Sequence, residues 1–570
     1  MKPVKNRILK EQILILGEKT AMKKILLLWI VCFRAAILSA QESLLPSVLY
    51  LTGLSDASEL DESVLAYYES LSRHPVRINT ASAERLFETG LMTPFQAASL
   101  VDYRMRYGEI LSEAELALID GFNPESARAL RPFLSFAPSG ASDSLSRKRT
   151  LFLRGGVQYK SSIQGLWGAR YSRVWGPGKG LNVAFRRTAG GEEGGSFSLS
   201  LAGRAGRLVL GDFHARYGQG LCLWSGLDLT SPTSLSGFSK RPGGIVASSS
   251  WSGLGTFRGL SYDGSSGPWK YALSLPLVSP QGIAAHLSRL FRSGGVGVTV
   301  WGPKGDPMQV SGDVRWSIRT IHLFGEVAYG GAARTLAGVG GALFPVGENG
   351  KAGFRFRAVP TGYSGKRYGS YSVSTGGEYR DRRNTLSATL EGSLLPEPVR
   401  NPSRRQLQGA AEWTCRITDV YTLTIRTVGR FRNYSPGRRI DFRSEAVRET
   451  SLWTAKLRIH AAAAESLGIL AYAEAGRKTG TFSFWGRGTL FRADSWNVRL
   501  YCYERDLPGL FSVPAYWGRG FSLSAYGTCE IRFGRGRLRL YGKAGWMATP
   551  WQVEKKPGKA ELRIQSRFDF

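Results

Sequence analysis

From residue 151 to the C-terminus, apolar and polar side chains alternate with a period of two in run after run. In Tyr421–Arg432, Leu423, Ile425 and Phe431 oppose Thr424, Arg426, Arg430 and Arg432. In Arg537–Trp546, Leu538, Leu540, Ala544 and Trp546 oppose Arg537, Arg539, Tyr541 and Lys543. Trp496–Tyr503 sets Trp496, Val498, Leu500 and Cys502 against Asn497, Arg499, Tyr501 and Tyr503. Shorter runs repeat the pattern, with Phe354 and Phe356 against Arg355 and Arg357, and Leu457 and Ile459 against Lys456, Arg458 and His460. The last stretch places Leu562, Ile564, Ser566, Phe568 and Phe570 on one face and Arg563, Gln565, Arg567 and Asp569 on the other. Period two is the signature of strands with two unlike faces. Counting runs between Gly, Pro, Asn and Asp breaks predicts about 20–24 strands, the range of large transmembrane barrels. The predicted fold is therefore mainly β, a large antiparallel transmembrane β-barrel spanning 151–570. An aromatic C-terminal strand ending at Phe570 suits its closing strand and implies the barrel-assembly machinery as a partner.

The period changes to about 3.6 over residues 55–136, which predicts a small all-α region. A first helix is expected over Ser58–Leu71, with Leu60, Val64, Leu65 and Tyr68 as its apolar stripe. A short turn and a helix follow between Val76 and Leu86. Three helix starts are marked by caps: Thr93-Pro94 with Gln96, Ser112 with Glu115, and Asn123-Pro124. Residues 41–76 are read as a helical lead-in, 77–136 as a compact helical domain and 137–150 as a Ser/Gly linker. Met22–Ala40 has a basic start, an apolar run and a small residue before Gln41, which reads as a secretory signal peptide over 1–40 with an upstream extension, 1–21. After residue 40 no stretch approaches the roughly 20 apolar residues of a spanning helix.

Charge is unevenly placed in a chain whose formal net charge is +32. Residues 41–136 hold seven Lys/Arg and fourteen Asp/Glu, and the strand-rich remainder carries a large basic excess. Lys or Arg at mid-depth on a lipid face costs about 2–4 kcal/mol, so these basic residues must face the lumen. Arg355, Arg357, Arg426, Arg430, Arg458, Arg499, Arg537, Arg539 and Lys543 are the lumen candidates. Either the lumen is electropositive and favours anions, or acids on neighbouring strands and loops balance it. The excess also suits lipopolysaccharide phosphates at the surface. Cys222, Cys415, Cys502 and Cys529 are widely spaced, and read as unpaired small strand residues.

Ile78-Asn79-Thr80-Ala81-Ser82, Asp102-Tyr103-Arg104…Gly108, Ser112…Leu116 and Gly121 resemble a tandem helix-hairpin-helix module of the competence DNA-receptor type. In that family each hairpin carries Gly-x-Gly, whose backbone N–H groups hold a DNA phosphate. This resemblance makes Gly90, Leu91, Met92, Gly121, Phe122 and Asn123 the candidate phosphate contacts, with Arg104, Arg106 and Arg128 as local positive charge. The sequence keeps only the first glycine of each pair, and the module is net acidic. Both departures weigh toward protein–protein or barrel-docking use, with DNA as the alternative. The whole layout resembles a family of Gram-negative helix-hairpin-helix outer-membrane proteins. Within it, Gly211-Asp212-Phe213 and Tyr217-Gly218-Gln219-Gly220-Leu221 look like a recurring motif. The site reading of that segment centres on Asp212, His214, Arg216 and Gln219, and the structural reading is a barrel corner or plug contact.

The barrel's histidines, His214, His286, His322 and His460, have no recognisable nucleophile motif beside them. No zinc, P-loop or dinucleotide pattern occurs, so no cofactor and no catalysis are expected. The expected function is an outer-membrane channel or transport component for anionic or polymeric cargo, with the helical module, on the periplasmic side, as gate, plug or docking point. The alternatives are a docking protein whose module recruits a periplasmic protein partner and, third, a barrel enzyme.

Overall fold

A computed structural model describes residues 44–570, apart from 55–56, 61, 74, 140–147, 177, 204, 227–232, 254, 279, 331–333, 364–368, 397–402, 535 and 553–557. The signal peptide, its extension and the middle of the linker lie outside the described residues. The β region forms a closed antiparallel barrel with a wall of 24 strands. Its closing strand is the C-terminal one, as expected. Lys559–Asp569 pairs with Gly536–Ala548 on one side and with the first wall strand, Lys148–Tyr159, on the other.

The alternation sorts residues between lipid side and lumen as the lipid cost requires. Phe354 and Phe356 are 49% and 50% exposed, whereas Arg355 and Arg357 between them are 3% exposed. Leu457, Ile459, Trp546 and Ile564 are likewise exposed, and Arg458, Lys543 and Gln565 are buried. One run departs from this scheme. Trp496–Tyr503 is not a wall strand: Trp496–Val498 is a short 3-10 turn and Leu500–Tyr501 pairs only with Ala515–Tyr516. Arg499 therefore stands on the connection between two wall strands. The alternation there reflects a segment folded against the barrel's inner wall, where Val498, Leu500 and Cys502 pack with Leu470 and Tyr472.

The two barrel ends differ. At the end where the wall begins and finishes, connections such as 292–293, 319–320 and 450–452 are tight turns of two to four residues. All longer connections, including 217–256, 494–517 and 549–558, lie at the opposite, loop end. Strand Arg207–Arg216 bends inward at that end. Its first part pairs with Phe257–Ser266, but from Phe213 onward it also pairs with the short strand Gly244–Ala247. Gly211, at φ +91°, sits where the bend begins, against the carbonyl of Phe197.

The N-terminal module comprises α1 (Leu45–Thr52), α2 (Glu62–Ser72), α3 (Ala83–Glu88), α4 (Pro94–Tyr107), α5 (Glu113–Leu116) and α6 (Pro124–Leu130). The expected caps form. Thr93 and Gln96 make a reciprocal capping box, Ser112 accepts from the Glu115 N–H, and Asn123 accepts from Ser126. The lead-in holds an additional helix, α1, started by Pro46 and ended by Gly53 in the left-handed region. Parallel pairing of Val76–Arg77 with Leu134–Ser135 ties the module's two halves together. Its core gathers Val48, Val64, Tyr67, Ile78, Leu86, Leu100, Ile110, Leu130 and Phe133. Val246 and Leu290 of the barrel belong to the same cluster, so the module packs directly on the barrel's inner surface.

The lipid-facing assignment predicts that Val327→Lys, in the middle of an outward face, destabilises the refolded barrel by about 2–4 kcal/mol. Urea titration in lipid vesicles measures this, and an unchanged midpoint would contradict the assignment.

Candidate functional site

The inward bend after Arg216 builds a socket. Residues 217–222 form a turn whose backbone N–H groups converge on one wall carboxylate. Gln219 N and Leu221 N donate to Glu326 Oε2 at 2.6 and 3.0 Å, and Cys222 N donates to Oε1 at 3.3 Å. Glu326 is 2% exposed, and a carboxylate so buried requires such donors. Gly218 (φ +57°) and Gly220 (φ +80°) permit the turn, and a Cβ on Gly218 would stand 2.7 Å from the Glu326 carboxylate. Gln219 Oε1 accepts the Lys240 N–H at 2.8 Å. The glycine motif is thus a backbone cradle for a barrel glutamate.

The other residues of the motif serve the same join. Asp212 accepts from Arg258 at 2.7 Å and from the Phe197 N–H at 2.8 Å, fixing the wall at the bend. His214 meets Tyr67 of α2 edge to face, with ring centroids 5.3 Å apart. The Arg216 guanidinium lies 3.6 Å from the Tyr67 ring centroid and 5.2 Å from that of Trp224, while its Nε donates to Ser225 O. Burial pushes the Tyr67 phenol up from its ordinary pKa, so it remains neutral beside Arg216.

Around this socket, acids of the module meet arginines on strands spaced around the barrel. Glu59 pairs with Arg426 at 2.7 Å, Glu62 with Arg186 at 2.8 Å, Glu69 with Arg170 at 3.8 Å and Glu125 with Arg380 at 2.5 Å. Arg315 covers the Phe87 ring at 4.1 Å, and Ser70 Oγ lies 3.0 Å from Ser249 Oγ. These contacts lie on opposite sides of the barrel, so the module stands within the lumen. The acidic module and the basic wall are complementary halves of one interface.

The wall supplies further acids for its own basic residues. Arg458 donates to Glu445 at 2.5 Å, Arg539 to Glu530 at 2.6 Å and Arg430 to Asp441 at 3.1 Å, and Arg537 stands 3.6 Å from Glu530. Lys543, fully buried, stands among Glu561, Asp506 and Glu504 at 2.7, 3.4 and 3.5 Å. Arg355 and Arg357 are buried on the inner face. Of the two readings of the basic excess, balance by neighbouring acids accounts for most of the lumen candidates. Glu326, Glu445 and Glu530 escaped sequence reading. Each has the parity of the inward residues of its own strand, the one signal that marks it.

The first hairpin turn faces the barrel, and the second packs on α4. A Cβ on Gly90 (φ +67°) would stand 2.5 Å from Pro242 O, and Arg241 donates to Leu91 O at 2.8 Å. Leu91 and Met92 are buried. Gly121 (φ +87°) packs on Phe95, Phe122 is half-buried, and Asn123 is occupied as the α6 cap. The candidate cations are engaged within the module. Arg104 donates to Ile78 O and Ala81 O, Arg106 pairs with Asp102 at 3.0 Å, and Arg128 stands 3.9 Å from Glu113. Gly90, Met92, Gly121 and Asn123 line a cavity of about 720 Å³ shared with Arg241, Arg315 and Lys351 of the barrel. Cys222, Cys415, Cys502 and Cys529 are free thiols, the first and third lying in inward-folded segments rather than strands.

No family model matches the chain, and no curated protein matches it. Solved structures that it is similar to include the translocation pore of the P pilus usher PapC, at 9% identity over 74% of this chain and 99% of that one, with a TM-score of 0.29. OccK2 (OpdF) of Pseudomonas aeruginosa matches at 9% identity over 75% and 98%, TM-score 0.31, and the copper transporter OprC at 10% over 74% and 80%, TM-score 0.37. Likeness at this level carries no inference about what the barrel does.

The cradle predicts that Gly218→Val destabilises the protein more than Gly267→Val, by about 1–3 kcal/mol. The two glycines share a similar positive φ, but Gly267 has open space where a Cβ would go. Equal shifts in denaturant midpoint would remove the cradle's role.

Proposed function

We propose that the chain is an outer-membrane transport barrel whose lumen is occluded by its own N-terminal module, carrying an anionic or polymeric cargo. The observation that carries this reading is the module standing in the lumen, with Glu62 and Glu69 on arginines of one part of the wall and Glu59 and Glu125 on arginines of distant strands. Short turns at one end and long connections at the other support an orientation with Lys148 and Asp569, the free ends of the first and last wall strands, on the periplasmic side. In this reading the module is of the helix-hairpin-helix type, and its first hairpin contacts the barrel rather than DNA. Gly90 and Leu91 supply the support, since Pro242 and Arg241 stand where a phosphate would approach. A filled lumen suits transport only if the module moves, and ion pairs with partly exposed acids such as Glu62 and Glu125 are separable contacts.

A second reading has its own support. Met105, Tyr107, Leu111 and Leu118 are large apolar side chains left 61–80% exposed at the ends of α4 and α5. They suit docking of a periplasmic protein partner, with or without transport.

Planar-bilayer conductance tests occlusion. The refolded protein is expected to be nearly silent, and the same protein without residues 44–136 to pass a steady current with anion preference. Silence in both forms, with folded barrels, would sink the transport reading and leave docking.

A further inference from the structure

A further cavity, of about 330 Å³, lies between Glu59 of the module and the wall strands Tyr421–Arg432 and Arg438–Glu449. Its lining includes Arg426, Arg430, Arg432, Arg439, Arg443 and Arg499, against two carboxylates, Glu59 of the module and Asp441 of the wall. The first three arginines share the inner face of Tyr421–Arg432, and the next two that of Arg438–Glu449. Arg499 comes from the connection 494–517, which is why its absence from the wall matters here.

Like charges face each other across these strands, as Arg539 and Arg567 or Lys543 and Arg563 also do. Elsewhere directly facing residues are often of opposite charge, as in Glu445 and Arg458, Glu474 and Arg487, or Glu530 and Arg539. Here Arg426 faces Arg443 and Arg430 faces Arg439. Like charges directly opposite are destabilising. Asp441 serves both Arg430 and Arg439, at 3.1 and 2.7 Å, and Glu412, on the next strand, stands 3.8 Å from both Arg426 and Arg443. Arg432 and Arg499 are held by neutral acceptors: Gln406 Oε1 at 2.7 Å, and Tyr501 OH and Trp496 O at 2.7 and 2.8 Å. Among the described residues, six guanidinium groups thus stand near four carboxylates, Glu59, Asp441, Glu412 and, beside Arg443, Glu445; Glu445 is also engaged by Lys456 and Arg458, and Glu59 belongs to the module.

We propose that this cavity binds a small soluble anion carrying two or more phosphate or carboxylate groups, and that the anion competes with Glu59 for Arg426. The excess charge calls for a multivalent anion, and forked guanidinium donors suit phosphate and carboxylate oxygens alike. The site faces the lumen, so lipid headgroups are excluded. Glu59 is the module's carboxylate in the lining of this cavity. Its replacement by a ligand removes one of the ion pairs that hold the module, a step that rests on the occluded-barrel reading above.

The test is calorimetric titration of the refolded full-length protein with pyrophosphate and, separately, with citrate in low-chloride buffer. Arg432→Gln with Arg499→Gln is expected to weaken binding at least about tenfold. Heat-modifiable gel mobility confirms that this variant is folded. Glu59→Gln is expected to tighten binding several-fold, by removing the competitor. Absence of binding to the wild type, or undiminished binding to the folded double variant, overturns the site. Equal affinity in wild type and Glu59→Gln overturns the competition. None of these results depends on whether the barrel conducts, so failure here and failure of the occlusion reading remain separate. Binding of only one probe, lost in the double variant, assigns the ligand to phosphates or to carboxylates.

Discussion

A guanidinium group that is kept off the lipid has to be neutralised indoors, and this molecule is arranged around that requirement. Period-two strands leave each wall arginine one way to point. Once turned inward it is removed from bulk water, and a buried charge left unpaired costs several kcal/mol. Acids arrive from three sources: neighbouring strands, as Glu530 for Arg539; inward-folded connections, as Asp506 for Lys543; and the module, as Glu59 for Arg426. The third source ties the barrel's interior electrostatics to the presence of a separate helical unit. Removing that unit takes one carboxylate from each of Arg170, Arg186, Arg380 and Arg426 at once.

The same economy runs in reverse at Glu326. There the wall supplies the carboxylate and an inward-folded turn supplies backbone donors, made available by two glycines in the left-handed region. The turn in turn positions Arg216 and His214 against Tyr67 of α2. A continuous chain of contacts thus runs from a wall strand through a cradled carboxylate to the module. Apolar packing joins the two parts as well, since Val246 and Leu290 of the barrel sit in the module's own core.

Much of the architecture was legible in the sequence because it rests on local rules. Alternation at Phe354–Arg357 and Leu562–Asp569 gave facing, and capping residues at Thr93, Ser112 and Asn123 gave helix starts. What was not legible depends on long-range partners. Trp496–Tyr503 alternates like a wall strand, yet it lines the inside of the barrel, because inward packing on Leu470 selects the same parity. The segment around Gly218 announced a bend, but not that Glu326, more than a hundred residues later, would fill it. Asp212 and His214 looked like site residues because they are polar within a glycine-rich strand; their partners, Arg258 and Tyr67, are structural. Arg355, Arg357, Arg426, Arg458 and Lys543 lie on inner faces as their parity requires and Arg499 on a connection, while acids such as Glu445 and Glu530 stayed hidden among ordinary strand positions.

The claim on which the rest depends is that α2 lies inside the barrel. Ser70 of α2 and Ser249 of the inward-folded segment have their Oγ atoms 3.0 Å apart. In the variant carrying Ser70→Cys and Ser249→Cys, refolded into lipid and mildly oxidised, a disulfide should form and shift mobility on a non-reducing gel, with neither single variant doing so. Both thiols remaining free under oxidation that cross-links a control pair would contradict a module seated in the lumen.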